Sequence, residues 1–285
     1  METSPATRSC LPNAVYVGVA RAGSTWLAEN LASHPDAFVP TAKDVYFFDR
    51  EYERGLDWYA EHFKRGCDRK IRIDISHDYL HVPIAADRIA CDLPGATILA
   101  CVREPVDWLR SIATYMSRNE PAGSTFQQVV SKDLGVVAGG FVSNYLDYWM
   151  QRVGRDALHV YTYDDLRNDP AQTLHDIQDV LGLSRHRPAD VESRRNVPTR
   201  ARSAVVAKAG KQLAGGLRRI GRPEILGWLK RNPIVARALY TERSVDLAID
   251  DEAVATLRRF YRPEVTALSE LLGRDLVELW GYDRA

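Results

Sequence analysis

The chain has 285 residues, of which 45% are hydrophobic and 27% charged, enough to close one large core. Basic and acidic residues balance at 38 each, so no overall charge draws the protein to nucleic acid or to an anionic membrane. No apolar run reaches the length that spans a bilayer.

In chain order, residues 1–13 are polar and contain two prolines, and are expected to be flexible. The apolar run Ala14–Val19 predicts a buried strand ending in the small-residue turn Ala20-Arg21-Ala22-Gly23. Ser24 is placed to cap a helix whose Leu27 and Leu31 share a face, and His34-Pro35 stops it. Lys70–Ile75 alternates with period two and predicts a second strand. Ala96–Val102 is continuously apolar, as a buried parallel strand is, and Pro105 opens a helix to about Met116. Leu158–Thr162 predicts another strand. Asp169, Pro170 and Gln172 then supply an N-cap, a first-turn proline and a capping-box partner for a helix ending at Gly182. Asp250 begins a further helix, and Gly273 closes the last long one.

Strands alternating with helices predict an α/β fold, a three-layer domain with a central parallel sheet flanked by helices. The whole chain, 1–285, is read as one domain. Thirteen of the 38 basic residues but only two acidic ones, Glu224 and Glu242, fall between Arg194 and Arg243. The stretch 200–242 is therefore expected to be a basic helical insertion or lid. Cys10, Cys67, Cys91 and Cys101 lack metal-ligand spacing and are expected to be reduced thiols. Together with the absence of an apolar leader, they predict a cytoplasmic protein that binds no metal.

A turn between a parallel strand and a helix gathers backbone N–H groups and the positive helix end at one point, which suits a phosphate. Gly23 lets the backbone approach, Ser24 and Thr25 add hydroxyls, and Arg21 adds a fixed positive charge. A nucleoside triphosphatase loop would need GxxxxGK[ST], which this turn lacks. Arg103 leaves the carboxyl end of the 96–102 strand, where ligands of open α/β sheets collect. Ser111, two turns into the following helix, lies within reach of a long guanidinium side chain. Two anion-binding turns at strand ends suit a ligand that carries two separate phosphate groups.

Gly18-Val19-Ala20-Arg21-Ala22-Gly23-Ser24-Thr25-Trp26-Leu27 resembles the 5′-phosphosulfate loop of sulfotransferases that use 3′-phosphoadenosine 5′-phosphosulfate (PAPS), with Arg21 where that family carries lysine. Cys101–Pro105 with Ser111 resembles the family's 3′-phosphate motif. Lys43-Asp44-Val45-Tyr46-Phe47-Phe48 is similar to the Lys-Glu-x-x-Phe-Phe segment of the glycan-type branch, with Asp44 one methylene shorter than the usual glutamate and Tyr46 at a position often held by His. The resemblance implies a P-loop-like fold and a PAPS donor. It places Arg21, Ala22, Gly23, Ser24, Thr25, Trp26, Arg103 and Ser111 on the nucleotide, and Lys43 beside the phosphosulfate. Asp44 becomes the base, with His77 as a rival from the segment Asp74-Ile75-Ser76-His77-Asp78-Tyr79. Arg200, with Arg194, Arg195 and Arg202, is a candidate for the 3′-phosphate from the lid. The partner implied is a hydroxyl-bearing small molecule or glycan, with no nucleic acid and no membrane. A small-molecule kinase and a degenerate nucleotide-binding relative that has lost the chemistry are the competing readings.

Overall fold

The computed structural model describes residues 5–41, 43–117, 123–188, 191, 199–201, 240–242 and 247–283. They form, in order, α1 (Pro5–Cys10), β1 (Ala14–Gly18), α2 (Ser24–Ala32), β2 (Ala37–Phe38), α3 (Gly55–Glu61), β3 (Ile71–Ile75), α4 (Pro83–Asp92), β4 (Thr97–Val102), α5 (Pro105–Met116), α6 (Phe126–Val130) and α7 (Gly135–Ala138). There follow α8 (Ser143–Val153), β5 (Leu158–Thr162), α9 (Tyr163–Asn168), α10 (Pro170–Val180), β6 (Thr199–Ala201), β7 (Tyr240–Glu242), α11 (Asp251–Leu272) and α12 (Leu276–Leu279).

The chain forms two compact units, the first comprising Met1–Glu104, Phe141–Arg195 and Arg262–Arg284. Its centre is a parallel sheet in the order β2-β3-β1-β4-β5. The sequence-predicted α/β class with a parallel sheet is therefore correct. Every residue of β1 is buried, because a central parallel strand is covered on both faces. The largest buried side chains of this unit include Trp149, Tyr16, Tyr59, Tyr79, Phe47 and Phe48. From β1 the connection runs towards β2 and β3, whereas β4 and β5 lie on its other side. The crevice at the carboxyl ends of β1 and β4 is thus the switch point at which open α/β sheets collect ligands.

The second unit comprises Pro105–Gly140 and Asn196–Tyr261 with Ala285. In it the Thr125 hydroxyl and Gln128 form a capping box at α6, and Tyr261 donates its hydroxyl to the Val137 carbonyl at 2.6 Å. β6 and β7 pair antiparallel, with Arg200 opposite Thr241. Between them residues 202–239, most of the expected lid, lie outside the described residues, as do Arg194 and Arg195.

Several local expectations are met. Asp169 caps α10 through the Gln172 amide, and Gly182 and Gly273 take left-handed backbone beyond the ends of α10 and α11. Asp250 accepts the Ala253 amide at 2.7 Å. Other details differ. The Gln172 side chain does not complete the capping box but reaches forward to Asp176. Gly23, not Ser24, is the N-cap of α2, since its left-handed backbone (φ 91°) needs no side chain to end the turn. The polar start of the chain is not wholly free: Pro5–Cys10 is helical, and Thr7 donates to Asp57 of α3.

The cysteine expectation is corrected as well. Cys10 and Cys67 form a disulfide across 57 residues, while Cys91 and Cys101 are free thiols. The pairing is invisible in the spacing because only the packing of α1 beside α3 brings the two together. It also removes cysteine usage as an argument for a reducing compartment. Among the described residues, no helix is long and apolar enough to cross a membrane.

Candidate active site

The turn after β1 is shaped by two close approaches. A Cβ on Gly18 would meet the backbone oxygen of His77 at 2.7 Å, and one on Gly23 would meet Leu166 at 2.3 Å. Gly23 starts the nine-residue helix α2, so the first amides of α2 face the turn without helical partners. Arg21, in the middle, has φ 62°, a conformation a branched or long side chain adopts only where its surroundings hold it. Its carbonyl accepts a hydrogen bond from Arg103 at 2.7 Å, and the Arg103 guanidinium lies 4.1 Å from the centre of the Tyr163 ring. Arg103 therefore braces the turn from the end of the neighbouring strand, in addition to any charge it offers a ligand. Trp26 is buried and donates its indole N–H to the Val191 carbonyl at 2.8 Å, which makes it part of the wall behind the turn.

The segment 43–49, the base loop after the role expected of Asp44, carries the second half of the site. Asp44 (φ 64°) and Tyr46 (φ 54°) are also left-handed, so all three described non-glycine residues with positive φ belong to this site. Such strain persists only where surrounding contacts over-determine it, and it gathers at functional positions. Lys43 Nζ lies 3.3 Å from the Ser24 hydroxyl and 3.6 Å from Asp44 Oδ2. The other carboxylate oxygen of Asp44 is 2.6 Å from His77 Nδ1, and the Tyr46 hydroxyl is 3.3 Å from His77 Nε2. An ionised carboxylate can only accept, so the Nδ1 proton faces Asp44. Arg50 lies over the Tyr46 ring at 3.9 Å and pairs with Asp49 and Asp78.

Asp44 and His77, rivals in the sequence, are thus hydrogen-bonded partners. Lys43 joins them to the turn through Ser24. Ser111 stands on α5 in the second unit. Arg200 lies in β6, and its side chain is outside the described residues, as is Arg202.

Sequence reasoning gave no role to Asp74, although it quoted the segment that Asp74 opens. This carboxylate is fully buried at the end of β3 and accepts from Tyr59 (2.8 Å), Ser76 (2.8 Å) and Tyr79 (3.1 Å). Burial, with a smaller push from the Asp44 charge, raises its pKa to about 6 against the pull of the three hydroxyls. Burial likewise raises Asp49 despite the neighbouring Arg50. Asp74 occupies the polar phase of the Lys70–Ile75 alternation, so the pattern gave no sign that it would be buried. No group of three or more His, Cys, Asp or Glu able to hold a metal occurs among the described residues.

Comparison with known proteins fits this geometry. Residues 11–199 match the family model of the sulfotransferase domain. The chain is 26% identical over 282 residues to human heparan sulfate glucosamine 3-O-sulfotransferase 3B1, covering 96% of this chain and 65% of that protein. It is 29% identical to human heparan sulfate glucosamine 3-O-sulfotransferase 6, covering 96% of this chain and 75% of that one. The chain thus spans somewhat less than two thirds of the first of these relatives. A crystal structure of a sulfotransferase from Alicyclobacillus acidocaldarius superposes with a TM-score of 0.67 at 20% identity, covering 96% of this chain and 99% of that one, a likeness of fold.

Proposed function

The chain belongs to the sulfotransferase domain family, and from that premise we propose that it moves a sulfuryl group from PAPS to an acceptor hydroxyl. The observation that carries this reading is the position of Lys43 between Ser24 of the turn and Asp44 of the base loop. One ammonium group there serves both the donor and the proton-accepting pair.

The turn fits the 5′ end of the donor. The amides at the start of α2, the Ser24 and Thr25 hydroxyls and the Arg21 charge suit an anion. Arg103 suits the 3′-phosphate, the role that the family resemblance also gives Ser111. In the transfer, the sulfur–oxygen bond to the donor phosphate breaks as a bond from sulfur to the acceptor oxygen forms. Negative charge develops on the departing phosphate, and Lys43 and Arg21 neutralise it. Arg21 acts by charge alone because a guanidinium does not release its proton. The hydrogen-bonded Asp44–His77 pair receives the acceptor's proton. The acceptor class is a hydroxyl on a glycan or a small molecule, glycans being favoured by the printed names of the relatives.

The test is calorimetric titration with the desulfated nucleotide PAP in metal-free buffer and, separately, with ATP in the absence and presence of magnesium. PAP is expected to bind selectively and to lose affinity in Arg103→Ala. Binding of ATP with magnesium in preference to PAP would overturn the proposal in favour of a kinase. Tight PAP binding without turnover of PAPS on any acceptor in a glycan and phenol panel would identify a binding protein.

A further inference from the structure

The base loop lies in an unfavourable backbone conformation at two positions, and its own sequence offers no glycine to ease either. What holds it comes from the end of β3. The Asp44 amide donates to the Ile75 carbonyl at 2.9 Å. The Tyr46 amide donates to the Ser76 hydroxyl oxygen at 3.2 Å, and the Phe48 amide to the Tyr79 hydroxyl oxygen at 3.3 Å. Each of these hydroxyls has a single proton, and each directs it at Asp74. The rings reinforce the arrangement: Phe47 stacks on Tyr59 at 4.3 Å, and Phe48 meets the edges of Tyr59 and Tyr79.

We propose that Asp74 is a positioning residue for the base loop, one that fixes the polarity of two hydroxyl relays so that Ser76 and Tyr79 must accept the Tyr46 and Phe48 amides. The physical reason is that an ionised carboxylate has no proton to give. Both hydroxyls therefore donate to it, and their lone pairs remain for the backbone. A neutral group at this position can donate, and a hydroxyl that receives its proton must turn its own proton away, towards the side from which the backbone amide approaches. In Asp74→Asn, an amide nitrogen at the Oδ1 position turns the Ser76 proton against the Tyr46 amide. At the Oδ2 position it turns the Tyr79 proton against the Phe48 amide. Either orientation displaces one of the two amides that hold Asp44 and Tyr46 in left-handed backbone.

The inference deepens the proposed function, because it makes Asp74 act through the loop that carries the Asp44–His77 pair. The titratable groups around Asp74 are Tyr59 from α3, Tyr79 from its own turn and Asp44 from the base loop. Both tyrosines are pushed well above their usual pKa of 10 by burial and stay neutral across the accessible range. Asp44 adds negative charge, which favours the protonated form of Asp74.

The signature separates positioning from ordinary structural support. The folded pKa of Asp74, about 6, exceeds the ordinary 3.8, so the folded protein binds this proton more tightly than the unfolded chain. Protonation of Asp74 therefore stabilises the fold as pH falls from neutral through about 6 and towards 4. The same protonation loosens the base loop. Stability and loop order thus move in opposite directions with pH, which a merely structural residue does not produce.

Amide hydrogen exchange on the full chain, corrected for the intrinsic pH dependence of exchange, measures this directly. In the wild type, protection of the Tyr46 or Phe48 amide is expected to fall about tenfold between pH 7.5 and 5, the equivalent of one hydrogen bond. The Leu27 amide of α2, bonded to Gly23, should stay constant as the internal reference. Asp74→Asn is expected to show the low protection at both pH values, with a melting temperature that loses the wild type's dependence on this group. Equal protection in Asp74→Asn and wild type, or a parallel loss at Leu27 in a destabilised variant, would overturn the proposal. Should Asp74→Asn not fold, Tyr79→Phe provides a second arm. It removes the acceptor of Phe48 alone, so Phe48 should lose protection and Tyr46 keep it; loss at both or at neither counts against the relay. None of these readings needs PAP or PAPS, so failure of wild-type PAP binding would reject the proposed function while leaving the relay result intact.

Discussion

Lys43 faces two groups with one charge, and the distances decide what it does for each. It stands 3.6 Å from an Asp44 carboxylate oxygen and 3.3 Å from the Ser24 hydroxyl of the turn after β1, so it touches both halves of the site. Asp44 in turn sets the Nδ1 proton of His77, leaving Nε2 to the Tyr46 hydroxyl. A proton received by such a pair belongs to both members, so their deletions should not add. Asp44→Asn and His77→Gln are each expected to lower turnover on a PAPS acceptor by about a hundredfold or more. The double variant is expected to be little worse than the poorer single one. Steady-state kinetics on the three proteins checks this, and fully additive losses would mean that the two residues act independently. The sequence marked every member of this cluster by motif. It could not show that the rivals touch, because Asp44 and His77 stand 33 residues apart and meet only where the base loop crosses the end of β3.

At the scale of elements, the turn after β1 depends on how near other chain segments come. The neighbour of Gly23 is the tip of the Leu166 side chain, which can rotate away, so Gly23→Ala pays mainly for left-handed backbone, about 1–2 kcal/mol. The neighbour of Gly18 is the backbone oxygen of His77, which cannot move without carrying the His77 segment with it. Gly18→Ala is therefore expected to destabilise the protein more, by about 3 kcal/mol, and to lower turnover as well. Denaturant unfolding of the two variants gives the order, and a larger loss in Gly23→Ala would contradict it. The strands, and the helices opened by Pro105 and Pro170, were legible from apolar runs and proline positions, which report local physics. The capping of α2 by Gly23 was not, because a serine beside a glycine offers the same pattern whichever residue ends the turn.

For the whole molecule, the disulfide closes a loop of 57 residues that contains β1, α2, β2, the base loop and α3. Chain entropy alone assigns such a closure about 4 kcal/mol, an upper figure if the reduced chain keeps residual structure. Cys10→Ser with Cys67→Ser is expected to lower the melting temperature by several degrees while leaving PAP affinity within about twofold. A calorimetric melt and a PAP titration measure the two effects, and an unchanged melting temperature would show that α1 is held by packing alone.

The sequence by itself determined the α/β alternation, the anion-suited turn after β1, Arg103 at the end of β4 and the family resemblance that names the donor. These features are encoded in runs of adjacent residues, where apolar periodicity, glycine and proline act locally. The tertiary structure alone decided that Cys10 meets Cys67, that Asp44 touches His77 and that Tyr59 reaches the buried Asp74. Each of these pairs residues far apart in the chain through the order in which β2, β3 and β1 lie side by side. That order is set by the burial of whole faces, a quantity that no short stretch of sequence contains.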